Sequence, residues 1–193
     1  EAPPRLYDLT GLQVDCNKKL GLSAEQTLSI IQSLYEKKVT TYPRVDTTFL
    51  PDDVYAKCPQ TMNGLYKTPF AGVAPYAALI RPLGGGAPLR KSKKVFDNSK
   101  VTDHHAIIPT EQSPNLEKLS FEERNIYDLV VKRFMAVLST PMEYDEVKLQ
   151  IDVGENSFYA KGKTVKVAGW KEFYGLADED DEDDAENRSQ DLP

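Results

Sequence analysis

Hydrophobic and polar positions alternate in two different rhythms along this chain, and each rhythm predicts a kind of element. Over residues 24–38 the apolar side chains Leu28, Ile31, Leu34 and Tyr35 recur at helical spacing, which predicts a helix with one buried face. Ser23 and Gln26 form a capping-box pattern at its start. A shorter helix is expected over 11–20, with Thr10 as its cap and Gly21 as its left-handed stop. Ser120 and Glu123 repeat the capping-box pattern before a third stripe, Leu129, Val130, Phe134, Val137 and Leu138. Pro51 with Asp52 and Asp53 fits a further helix start near Val54. After Pro141 the period changes to two. "EVKLQIDV" sets Val147, Leu149, Ile151 and Val153 on one side, the pattern of a half-buried strand. "GEN" then reads as a turn, "SFYAKG" as a second strand and "TVKVAGW" as a third. The fold class is therefore α+β. A mostly helical unit is followed by a small antiparallel β-unit, with the boundary near 138–143. The two early helices followed by a short strand resemble a helix-turn-helix or winged-helix arrangement. The expected division is a lead-in over 1–9, a helical domain over 10–138, a β-rich segment over 139–177 and an acidic tail over 178–193.

Charge changes this picture in one respect. The net charge is −6, which at first argues against a nucleic-acid partner. Residues 178–186, "DEDDEDDAE", carry eight acids and no base; without them 22 acids face 24 bases. Like charges this dense repel and favour a solvated tail. The basic residues Arg90, Lys91, Lys93 and Lys94 follow a glycine-rich turn at 84–86. They fit equally an ordinary solvated loop and a salt-sensitive phosphate-binding surface. Two cysteines far apart, Cys16 and Cys58, suit reduced thiols, although one disulfide is compatible with the count. With only two histidines, a zinc site is not expected. No signal peptide is visible at the start, and the most apolar window, "AGVAPYAALI", is too short to span a bilayer.

Candidate chemistry sits in two places. In "TTYPRVDT", Pro43 pushes Tyr42 toward extended dihedrals. An extended chain would put Tyr42, Arg44 and Asp46 on one face at roughly 6–7 Å per step, with Pro43 and Val45 on the other. Spacing alone is compatible with an ordinary loop holding a half-buried tyrosine and an exposed Arg–Asp contact. The functional alternative is a phenol nucleophile beside a phosphate-binding group. A phenol is a weak nucleophile at neutral pH unless a cation stabilises its charge or that of a phosphodiester. A guanidinium binds two phosphate oxygens and keeps its charge. In "SKVTDHHAIIPT", His104 and His105 precede an apolar run. This places imidazole at the edge of something buried, where it can hold structure, donate to a phosphate or move a proton.

Taken together and in this order, the two segments resemble the type IA DNA topoisomerases. "TTYPRVDT" is similar to that family's T-Y-x-R-T-D-S pattern, and "DHHAIIPT" to its H-x-A-I-x-P-T. "PPRLYDLTGLQ", "LSAEQTLSIIQSLYEKK", "STPMEYDEVKL" and "KVAGW" fit in the same order, so the resemblance covers nearly the whole chain. The proline of "YPR" and the doubled histidine look more like the topoisomerase III branch. The resemblance implies transient cleavage of single-stranded DNA through a 5′-phosphotyrosine link, relaxing or decatenating DNA without ATP. Tyr42 would be the nucleophile, Arg44 the holder of the scissile phosphate, His104 an assisting group and Asp46 a supporting acid. His105 falls on the motif's variable position. Val45 and Thr47 depart from the family's threonine and serine. The family's Mg²⁺-binding acidic motif, in an N-terminal Toprim domain, has no counterpart in these residues. The implied reading is a central piece, the tyrosine-bearing helical domain and part of the β-rich arch, inactive alone and working in the cytoplasm on DNA. A non-catalytic winged-helix-type DNA-binding module and a protein-interaction domain are the rival readings.

Overall fold

The computed structural model describes residues 1–66 and 89–175. The chain divides into two compact units: Pro4–Ser139, and Glu1–Pro3 together with Thr140–Pro193. Helix α1 spans Leu9–Leu20, α2 Ala24–Glu36, α3 Asp52–Tyr66 and α4 Phe121–Leu138. Strands β1, Glu143–Val153, and β2, Asn156–Val167, form one antiparallel pair. The fold is α+β.

In the helical unit, both capping boxes close as reciprocal pairs. Ser23 accepts from the N–H of Gln26 while Gln26 accepts from that of Ser23, and Ser120 and Glu123 do the same for α4. Gly21 ends α1 at φ 68°, a conformation that costs glycine little because it has no Cβ. The cap of α1 differs from the expectation. Asp8, not Thr10, accepts from the N–H of Gly11 at 2.7 Å, so the helix starts two residues earlier. An aspartate oxygen reaches the third following N–H from an extended backbone, whereas Thr10 is already helical. Helix α4 packs on α2, and α2 on α1. From Ile126 onward α4 is buried on nearly every side, including Phe134 and Val137. The α2 stripe is narrower than expected: Ile31 and Leu34 are buried, but Tyr35 is exposed. Among the described residues of this unit, strand-like pairing is confined to three isolated bridges, Tyr7–Ile107, Thr40–Pro109 and Leu50–Phe96. The hairpin wing of a winged-helix arrangement is therefore absent from those residues.

In the second unit the β-signal is real but its details change. There are two strands, not three. Gly162, which reads as a break, faces Val147 across the ladder and the strand continues through it. The turn is the two-residue Gly154–Glu155, with Gly154 at φ 64°, as a twisted hairpin favours. The expected half-burial fails. Val147, Leu149, Ile151 and Val153 do share a face, but each is more than half exposed, because a two-stranded ribbon buries an apolar face only under a further layer. "AGW" is not strand; Gly169–Phe173 is a short 3₁₀ turn. There Trp170 is buried and its indole N–H donates to the Glu1 carbonyl at 3.3 Å. The N–H of Met142 also donates to Glu1, at 3.0 Å. Most of the glycine-rich turn, the window "AGVAPYAALI" and the acidic run lie outside the described residues. Both cysteines are free and buried. Among the described residues no helix is long and apolar enough to cross a membrane.

Candidate active site

The site is assembled by stitching the segment 104–110 to three other pieces of chain. The N–H of Ala106 donates to Phe49, that of Ile107 to Tyr7, and that of Thr110 to Val39, at 3.0, 2.9 and 3.0 Å. Thr41 pairs with Ile108 in both directions, backbone N–H to carbonyl at 3.0 Å and Ile108 N–H to the Thr41 hydroxyl at 3.0 Å. The start of α1 joins through the N–H of Leu9, which donates to the Val45 carbonyl at 3.0 Å. Residues 106–109 are buried, as the apolar run "AIIP" demands, and His104 sits exposed just outside them.

This stitching brings Tyr42 and His104 together. Their ring centroids lie 4.4 Å apart with planes tilted by 33°. On the same phenol, Tyr35 of α2 makes an edge-on contact at 5.4 Å and 80°. Burial alternates through the segment: Pro43 and Val45 are buried, Arg44 and Asp46 exposed, Tyr42 intermediate. Arg44, Asp46 and His104 line one open cleft of about 500 Å³ with Asp8, Leu9, Thr10, Val45, Thr102 and Asp103. Arg44 also borders a second depression along α2, beside Glu25, Gln32 and Glu36. Arg44 thus borders both depressions, the second of which also carries the carboxylates of Glu25 and Glu36.

The basic cluster lines neither depression. Lys91 is held at 2.6 Å by Asp52 and lies 5.2 Å from the centre of the Tyr55 ring. The Arg90 backbone N–H donates to the Leu138 carbonyl; Lys93 and Lys94 are exposed in a turn. His105 points elsewhere as well, its Nδ1 2.8 Å from the Ala106 carbonyl, a distance that calls for a proton on that nitrogen. The Thr47 hydroxyl donates to the Lys100 carbonyl at 2.7 Å. Sequence reasoning missed Asp8, Tyr35, Thr102 and Asp103 at the site. Only Asp8 carried a local signal, an aspartate three residues before Gly11 at the head of a helix.

The family model for DNA topoisomerase matches residues 1–193. The chain therefore belongs to the DNA topoisomerase family. Among its relatives, it is 46% identical to DNA topoisomerase 3 of Bacillus licheniformis over 191 residues, and 45% identical to that of Bacillus subtilis. Each alignment covers 98% of this chain and 25% of the relative, so the chain spans about a quarter of the length of the curated relatives it matches. Among solved structures, full-length topoisomerase I from Thermotoga maritima shares the fold with a TM-score of 0.64 at 22% identity. That match covers 92% of this chain and 28% of that one.

Proposed function

We propose that this chain is the tyrosine-bearing part of a type IA DNA topoisomerase of the topoisomerase III branch, cutting and rejoining one DNA strand. Tyr42 Oη attacks the phosphorus of a phosphodiester in single-stranded DNA. A new P–O bond to the phenol forms as the bond to the 3′ oxygen breaks, and that oxygen takes up a proton to leave as a 3′-hydroxyl. The energy of the broken ester is kept in the 5′-phosphotyrosine, so reversal needs no ATP. Arg44 binds the non-bridging oxygens and stabilises the charge that builds on them. His104, against the face of the phenol, donates to the phosphate or relays the proton of Tyr42. Asp46 orients a neighbour on the cleft rim. The observation that supports this reading most is the contact of the Tyr42 and His104 rings at 4.4 Å beside a cleft lined by Arg44.

The described residues of the cleft do not fit a magnesium site. Asp8, Asp46 and Asp103 line the cleft, but one Asp8 oxygen is engaged with the N–H of Gly11. Among the described residues no three carboxylate, histidine or cysteine groups cluster as ligands. Mg²⁺ in the working enzyme would therefore be held by residues outside this chain. With Asp8, Asp46 and Asp103 around Arg44, the cleft alone repels a polyanion, and the chain by itself is expected not to cleave. The basic residues Arg90, Lys91, Lys93 and Lys94 would serve, at most, as sequence-independent contacts away from the cut.

The test is a chimera in which this chain replaces the matching quarter of Bacillus subtilis DNA topoisomerase 3. With Mg²⁺ and a single-stranded oligonucleotide, it should form a denaturant-resistant adduct that Tyr42→Phe abolishes with little change in affinity. An adduct that persists in Tyr42→Phe removes this residue from the role. DNA binding without any adduct supports the non-catalytic reading.

A further inference from the structure

We propose that Thr41 is a positioning residue whose hydroxyl sets the contact between the Tyr42 and His104 rings. Its catalytic consequence rests on the function proposed above; its geometric content does not. Thr41 binds the opposite segment at three points. Its N–H donates to the Ile108 carbonyl at 3.0 Å, and its Oγ1 accepts the Ile108 N–H at 3.0 Å. The same Oγ1 donates to the Ala106 carbonyl at 3.4 Å. In an ordinary antiparallel pair a backbone carbonyl would accept from Ile108. Here a side-chain oxygen takes that place, as threonine side chains can. The backbone ladder is thereby relieved at residue 41, and Tyr42 leaves it on the next step. The hydroxyl spans Ala106 and Ile108, and Ala106 lies two residues beyond His104. With the backbone bonds of Thr41 to Ile108 and of Thr110 to Val39, this one oxygen helps fix how the tyrosine segment lies against the histidine segment.

Its neighbour supplies an internal control. Thr40 is buried where Thr41 is only partly so, and its Oγ1 has no hydrogen-bond partner among the described residues. Thr41→Val keeps the branched shape and leaves the buried Ile108 N–H without its acceptor, a costly state for a buried donor. Thr40→Val removes a hydroxyl that bonds to nothing, and should be silent.

The experiment has two arms. In this chain, NMR follows the His104 ring protons, which feel the Tyr42 ring current at 4.4 Å. Thr41→Val should move the His104 Hε1 signal toward its position in Tyr42→Leu. Thr41→Ser and Thr40→Val should leave it near the parental value. In the chimera, Thr41→Val should slow adduct formation at least tenfold. Oligonucleotide affinity, measured in a Tyr42→Phe background, should stay within twofold, and Thr41→Ser should react within threefold of the parent. A His104 signal unmoved in Thr41→Val overturns the inference, as does a Thr41→Ser variant no better than Thr41→Val in either arm. A parental chimera without a Tyr42 adduct would instead defeat the proposed function, with the NMR arm still deciding the role of Thr41.

Discussion

Replacing Glu123 with glutamine removes one charge from a junction that fastens α4 to the end of α2. The carboxylate receives four hydrogen bonds. Lys37 Nζ donates to both oxygens at 2.6 and 2.7 Å, the Ser33 hydroxyl donates at 2.6 Å, and the Ser120 N–H at 2.8 Å. Glu123 is 6% exposed. Breaking a fully buried ion pair costs about 3–5 kcal/mol. The lysine side chain here is 38% exposed and can return to water, and glutamine can still close the capping box. The expected loss is therefore roughly 1.5–2.5 kcal/mol, near the value of a charge-assisted hydrogen bond. Alanine also forfeits the box and should lose about 1 kcal/mol more. Urea unfolding followed by far-UV circular dichroism is the assay, because the only tryptophan lies in the other unit. The pH dependence adds a second check. Burial pushes the carboxyl up, but the Lys37, Ser33 and Ser120 hydrogen bonds outweigh it and leave it below its ordinary value. A carboxyl depressed on folding stabilises fully above its unfolded value, and the gain is lost as pH falls through the folded one. The difference between parent and Glu123→Gln should thus be constant near neutrality and shrink below about pH 4. A glutamine variant within about 0.5 kcal/mol of the parent at pH 7 would refute the reasoning, because that is the range of an ordinary surface substitution. A difference unaffected by acid would do so too.

Other outcomes are expected on the same footing. Lys38 sits at φ 63°, so Lys38→Gly should stabilise the helical unit by about 0.5–1 kcal/mol in urea titrations; a loss would show that the side chain matters more than its backbone. Asp8→Ala removes the α1 cap and should cost about 1 kcal/mol by the same measurement, while Thr10→Ala should cost little. Burial pushes the Cys16 thiol up to about 11 and that of Cys58 to about 12, so a disulfide reagent at pH 8 should label neither until urea unfolds the chain. Asp103→Asn removes one of the cleft's three carboxylates and should tighten low-salt binding of an oligonucleotide to the chimera by about two- to fivefold, read by fluorescence anisotropy.

The elements most legible in the sequence were those closed by local chemistry. Both capping boxes and the Gly21 stop depend on residues within four of each other, and each stands as read. Asp8 and Thr10 show where local reading fails, since either oxygen can cap and only the backbone path into α1 decides between them. The ribbon marks a second limit. Alternation gave the shared face of Val147, Leu149 and Ile151, but burial depends on what else covers it, which no local pattern records. At the site, the one-sided row of Arg44 and Asp46 follows from extended geometry and Pro43. The approach of His104 to Tyr42 does not. It depends on pairing between 39–41 and 106–110, residues distant in the chain, and came into view only through the resemblance of two motifs.

That pairing has an evolutionary corollary. The stretch from Tyr42 to His104 is bracketed by a clasp made by Val39, Thr41, Ile108 and Thr110, and Phe49 ties its near end to Ala106. Lengthening such an excursion adds closure entropy only logarithmically. Insertions or deletions beyond these ties are therefore expected to disturb the contact of the Tyr42 and His104 rings little. Relatives of this chain would then be free to remodel that excursion while the phenol and the imidazole keep their relation.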